Sequence, residues 1–277
     1  MSKNTQLANA FKAACMGELE ALKPGNVHIF SDGHGMTVQD FIVSAEAAST
    51  VIAQPYLSLG ERILKSVQAT QNAVSCNTNL GIILLCAPLI QAALQEGEAD
   101  FLTKLNAVLT STTVEDAEYT FAAIRLASPS GLGASTQQDV NQTATETLSI
   151  GMQIAAPRDL VARQYANHFA DIMVALAHYR RLLVLWQRPA WATTAVHLHF
   201  MAQFLDSHVV RKYGEIIAKM VQAEAAAHEA DFLKAYNPKT FQTPLLQFDA
   251  ALKKRGLNPG TSADMTVAVL LMAQLAS

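Results

Sequence analysis

The chain has 277 residues, 51% of them hydrophobic and 16% charged, with a net charge of −3 from 20 basic and 23 acidic residues. That much apolar material supports a large buried core and excludes a disordered chain, and the missing basic excess excludes a sequence-independent nucleic-acid binder. Cys15, Cys76 and Cys86 are scattered without CxxC spacing and read as reduced thiols of a cytoplasmic protein. The N-terminal segment lacks the basic start and apolar centre of a signal peptide. The longest apolar stretch, 80–94, carries Pro88 and Gln91 and is too short for a bilayer.

Apolar residues recur at three- and four-residue intervals, as in Phe41, Ala45, Ala48 and Ile52, while strand-like alternation is nearly absent. This predicts an all-α fold, a single-domain multi-helix bundle over residues 1–277. Roughly ten helices are drawn from spans 4–22, 37–54, 57–74, 78–95, 100–110, 113–127, 142–154, 160–183, 190–204, 206–229, 241–254 and 261–275. Cap chemistry is offered by Asn4–Gln6 and by Thr113 with Asp116, a weak capping box.

Five polar segments interrupt the pattern in chain order. Beyond Glu18, KPGNVH at 23–28 should stop the first helix: Pro24 drives Lys23 out of the α region, and Gly25 permits a positive φ. Lys23, Asn26 and His28 then crowd one short arc, read as a loop cation, an amide and an imidazole for a phosphate-bearing ligand. Asp32 and His34 follow. At NTNLG, 77–81, Asn77 or Thr78 should cap the next helix, with Asn79 and Gly81 completing a helix start that favours anions. Gly131 and Gly133 lie in SGLG, followed by Asp139, but neither the preceding strand nor the third glycine of a dinucleotide fingerprint is present. The fourth segment, DSHVVRKYG at 206–214, brings Asp206, Ser207, His208 and Arg211 to one helix start. The last, NPGTSAD at 258–264, delivers Gly260, Thr261, Ser262 and Asp264 to another.

The alternatives fit poorly. There is no GxxxxGK[ST], no HExxH and no GxSxG. His168, His178, His197 and His199 read as structural, and Glu224, Glu229 and Asp231 as solvent-facing on an Ala-rich helix.

Taken in order, Glu18 with KPGN, NTNLG, DSHVVRKYG and NPGTSAD resemble the motif set of the triphosphoribosyl-dephospho-CoA synthase family, over nearly the full length. One departure stands out: Asn79-Leu80 occupies the place of a His-Lys pair (NTHKG), as in a divergent branch of that family. The resemblance implies a cytoplasmic transferase that moves the triphosphoribosyl group of ATP to dephospho-CoA and releases adenine. It also implies Mg²⁺ held near Asp206 and Asp264, and Lys23, Arg211 and the 77–81 helix start on phosphates. Glu18, His28, Asp32, His34 and Asp139 are then the candidates for catalysis. Gly25, Asn26, Gly131, Gly133, Ser207, His208, Gly260, Thr261 and Ser262 are expected around the nucleotide. Two other readings keep the nucleotide site: a different acceptor in one-carbon, pterin-type cofactor biosynthesis, or a non-catalytic nucleotide-binding protein. Neither nucleic acid nor membrane is an expected partner, and the apolar helices leave room for a homodimer.

Overall fold

A computed structural model describes residues 1–129 and 137–276. Fourteen α-helices carry the described residues: α1 Lys3–Leu19, α2 Val38–Ile52, α3 Leu59–Val74, α4 Leu80–Leu94, α5 Phe101–Thr110, α6 Val114–Ala127 and α7 Leu148–Ala155 in the first part. The second part has α8 Leu160–Ala166, α9 Ala170–Trp186, α10 Pro189–Gln203, α11 Ser207–Tyr213, α12 Glu215–Phe232, α13 Gln242–Lys254 and α14 Gly260–Leu275, with a 3₁₀ turn at Pro238–Phe241. The all-α expectation holds. Among the described residues there is no strand, only isolated bridges pairing His28 with Ser31 and Gly33 with Met36. Among the described residues no helix is long and apolar enough to cross a membrane.

Most helix starts follow local chemistry. The Thr113–Asp116 capping box forms, with the Asp116 N–H donating to Thr113 Oγ1 at 3.0 Å and the Thr113 N–H to Asp116 Oδ2 at 2.9 Å. The cap of α1 is Ser2 rather than a residue of 4–6. Two expected long helices are each broken. His168 and Phe169, at φ 56° and 63°, separate α8 from α9, and Gly214, at φ 84°, separates α11 from α12. The helix expected from 142 begins only at Leu148, where Thr147 supplies the cap.

The core gathers around α4 and α14, which are buried on nearly every face, as helices apolar all round must be. Helix α14 packs against α1, α4, α9 and α10. Pro88 lies inside α4 and has no N–H to offer the carbonyl of Leu84 one turn back. The Tyr165 hydroxyl of α8 donates to that carbonyl instead, at 2.6 Å. A buried acceptor is thereby satisfied from another helix, and α8 is pinned to α4 at the edge of the site.

Candidate active site

The KPGN turn after α1 is sealed inside the protein. Lys23 is 0% exposed, and its Nζ donates to Glu18 Oε1 and, at 2.9 Å, to Asn26 Oδ1. Burial pushes the Glu18 carboxyl up and the Lys23 ammonium down, so the two groups approach each other in proton affinity. The expectation of an exposed loop cation therefore gives way to a buried ion pair. Its direct partner is Glu18, and it is Glu18 and Asn26, rather than Lys23, that line the cavity described below.

Gly25, at φ 82°, turns the chain back, and the space beside it is closed: a Cβ there would meet Pro259 Cδ at 2.7 Å and Leu252 Cδ1 at 2.9 Å. Its N–H donates to Asp249 Oδ1 at 2.8 Å, while the His197 ring lies 3.3 Å from the Pro24 carbonyl. His197 is held neutral, its pKa pushed down to about 3 by burial and then by the nearby Lys23 charge. His28 is fully buried, accepts the Phe30 N–H on Nδ1 at 3.3 Å and turns Nε2 toward Asp249 Oδ2, also at 3.3 Å. Burial would raise Asp249, yet His28, Lys253 and the Gly25 N–H together hold its carboxyl below the usual range. Asp249 thus anchors the turn from α13, a role no motif in the sequence announced.

The late motif meets this turn directly. Asn26 Nδ2 donates to Asn258 Oδ1 at 2.8 Å across 232 residues. Asp206 caps α11 through Oδ1, accepting from the N–H groups of His208 at 2.9 Å and Val209 at 3.2 Å; its Oδ2 accepts from both the N–H and the hydroxyl of Ser262 at 2.8 Å. The Ser207 hydroxyl accepts from the Leu160 N–H at 2.8 Å, and Thr261 Oγ1 from the His208 N–H at 3.2 Å. At the start of α4, Asn77 Oδ1 accepts from the Leu80 N–H at 3.2 Å, and the Thr78 hydroxyl pairs with that of Ser44 at 2.5 Å. Gly81 accommodates Asp264: a Cβ on Gly81 would lie 2.0 Å from Asp264 Oδ2. That contact explains why glycine closes NTNLG.

These segments frame a cavity of about 730 Å³. Glu18, Asn26, Asn79, Asn258, Thr261 and Asp264 form its polar wall, and Phe41, Leu84, Phe121, Ile124, Leu148 and Met152 its apolar one. His34, His208, Arg158, Arg211 and Lys212 also line it. Asn77, Thr78, Gly81, Asp139 and Gly260 complete the expected residues found there. The carboxyl of Asp264 is pushed well up, first by burial and then by the negative charges of Asp206 and Glu18. Burial also lowers His208, against the pull of Asp206, and lowers His34, whose Nε2 sits 2.7 Å from the Gly25 carbonyl. Asn79 is 5% exposed, and its Nδ2 has no hydrogen-bond partner among the described residues. Arg211 donates to Asp159 Oδ2 at 2.7 Å, with its Nε unpartnered among the described residues.

The remaining expected residues lie elsewhere. Lys23, Gly25, His28, Asp206, Ser207 and Ser262 sit behind the polar wall as its supports. Asp32 is exposed on the surface, where Oδ1 accepts the Val38 N–H at 2.8 Å and assists the start of α2. Gly131 and Gly133 fall outside the described residues. Sequence reasoning missed Arg158, Asp159, Lys212 and Asn258. Asn258 and Lys212 stood inside quoted motifs without being singled out, while Arg158 and Asp159 had no signal beyond ordinary surface charge.

Residues 4–277 match the family model for ATP:dephospho-CoA triphosphoribosyl transferase (CitG). The chain belongs to that family. It is accordingly a transferase. Among solved structures, a candidate triphosphoribosyl-dephospho-CoA synthase from Archaeoglobus fulgidus superposes with a TM-score of 0.65 at 22% identity, over 84% of this chain and 98% of the other, which establishes a shared fold. No curated protein matches.

Proposed function

We propose that this cavity holds ATP and dephospho-CoA and carries the reaction of the triphosphoribosyl-dephospho-CoA synthase family through. A ribose hydroxyl of dephospho-CoA bonds to C1′ of the triphosphoribosyl group, and the bond from C1′ to adenine breaks. Adenine keeps the electron pair, and the proton lost by the hydroxyl is matched by one gained by the base. The observation that carries this reading is the convergence of the four motifs on one wall, with Gly81 against Asp264 and Asn26 bonded to Asn258. Family membership favours it over the pterin-type acceptor and over a non-catalytic protein.

The chemistry divides along the cavity. Arg158, Arg211 and Lys212 supply cations for a triphosphate, in place of the basic pair missing at Asn79-Leu80. The apolar wall of Phe121, Ile124 and Met152 suits the adenine ring, and the unpartnered amide of Asn79 offers its N–H₂ to a ligand acceptor. Burial and the negative field between them favour the protonated forms of Glu18 and Asp264 on the polar wall until a cationic centre arrives; ionised beside it, they stabilise positive charge developing at C1′. The same two carboxylates fit Mg²⁺, which takes one or two protein carboxylates beside phosphate oxygens. Asp206 does not fit, because four donors already occupy its oxygens. Magnesium bound there would neutralise triphosphate charge. His208 and His34 are near enough for charge on one to disfavour charge on the other, and both are held neutral by burial; a neutral imidazole at the cavity can accept the hydroxyl proton. We place the reaction in the cytoplasm, where the free thiols of Cys15, Cys76 and Cys86 would stay reduced.

The test is mass spectrometry of dephospho-CoA incubated with ATP, Mg²⁺ and the protein, alongside chromatographic measurement of adenine. The expected result is a mass gain of one triphosphoribosyl group with stoichiometric adenine, reduced 100-fold or more by Asp264→Asn. Release of adenine at the wild-type rate by that variant, or none with dephospho-CoA present, overturns the reading.

A further inference from the structure

Away from the cavity, side chains from three helices meet in a way the transfer reaction does not use. His178 of α9, His199 of α10 and Glu229 of α12 each bring one ligating atom within 4.8 Å of the others. None of the three lines the cavity. The sequence reading assigned Glu229 to solvent, but it is 8% exposed, and its Oε1 lies 3.0 Å from His199 Nδ1. The two imidazoles stack, with ring centroids 5.1 Å apart and planes inclined by 24°. The Nε2 of His178 is buried and has no hydrogen-bond partner among the described residues.

We propose that His178, His199 and Glu229 form a binding site for a divalent first-row transition metal ion, with zinc the best fit. Two imidazoles and one carboxylate are a donor set that suits zinc and leaves a fourth position for water. Ligands around 2.0–2.2 Å from a tetrahedral ion stand about 3.3–3.6 Å apart, so His199 and Glu229, at 3.0 Å, need to part by only a few tenths of an ångström while His178 closes in. Each helix gives one ligand, so the ion would clasp α9, α10 and α12. The helices are held beside it by the ring contacts of Trp186 and Trp191 with Phe232, at 5.2 and 6.1 Å.

The unpartnered Nε2 of His178 can turn to a metal without giving up a hydrogen bond among the described residues. The opposing group is Arg181, whose Nη2 lies 3.3 Å from His178 Nδ1. Coordination through Nε2 leaves the proton on Nδ1, and Arg181, exposed on the same helix, then turns to solvent.

The site is tested on tag-free, full-length protein stripped with a chelator and titrated with Zn²⁺ by calorimetry and with Co²⁺ by visible absorption. One equivalent is expected, at micromolar Kd or tighter, with the intense d–d bands of four-coordinate cobalt and a Tm raised by several degrees. His178→Gln, which keeps most of the side-chain volume, and His199→Ala should each weaken binding at least tenfold and abolish the Tm rise. His168→Ala, on an exposed histidine bonded to Asn106, should do neither. Absence of stoichiometric binding by the wild type, or undiminished binding in both site variants, overturns the proposal. Adenine release in the stripped protein is a separate readout, so this inference and the transferase reading fail independently.

Discussion

The two walls of the cavity are built on opposite terms. On the polar wall nearly every supporting group is held by specific partners: Lys23 by Glu18 and Asn26, Asp206 by four donors, Asp249 by Gly25 and Lys253. On the other wall Phe121, Ile124, Leu148 and Met152 define a space without directing anything in it, and the ion pair of Arg211 with Asp159 remains partly open to solvent. Rigid placement of reactive groups comes from buried hydrogen bonding, whereas adaptable shape comes from apolar packing. Substitutions on the two sides should therefore fail in different ways.

The largest expected effect is on the polar wall. Lys23→Ala leaves the Glu18 carboxylate buried without its cation and should cost about 3–5 kcal/mol, read from urea unfolding. A loss below about 1 kcal/mol would mean that the pair is not the buried support described. Next is Gly81→Ala, where the new methyl is driven onto the Asp264 carboxylate: about 1–3 kcal/mol of stability and most of the adenine release should go together. Retained activity would separate Gly81 from Asp264 and break the polar-wall side of the contrast. Arg211→Ala acts on the open side. Stability should change little, because the arginine side chain is 24% exposed, while KM for ATP rises roughly tenfold, about 1.4 kcal/mol of binding. A fall in kcat at constant KM would instead move Arg211 to the reacting centre. The smallest effect belongs to Asp32→Ala, which removes a surface hydrogen bond to the first turn of α2 worth ~1 kcal/mol at most, with adenine release unchanged. Loss of activity there would require a cavity different from this one.

The fold was legible because periodicity, caps and breakers agree along most of the chain. The exceptions are informative. A run that looks continuous at 160–183 is cut where His168 and Phe169 take left-handed φ, a conformation that ordinary side-chain propensities do not announce. The polar wall was readable because its residues sit in unusual local contexts, Pro-Gly turns and polar helix starts. What local reading could not supply was direction. Lys23 looked like a free loop cation because nothing in KPGN says that α13 and α14 cover it, and no motif marks Asp249, which anchors the turn together with Lys253. Arg158 was invisible for the converse reason: a cation beside a cavity has the same neighbours in sequence as one beside bulk water.

The bond between Asn26 and Asn258 has a consequence for biosynthesis. A nascent polypeptide emerges from the ribosome starting at its amino end, so the turn at 23–26 waits, with Lys23 and Glu18 still in water, until α13 and α14 have been translated. Catalytic competence thus arrives in a single late event. A product truncated before residue 258 would lack Asn258, Thr261 and Asp264, and with them half of the polar wall's named residues.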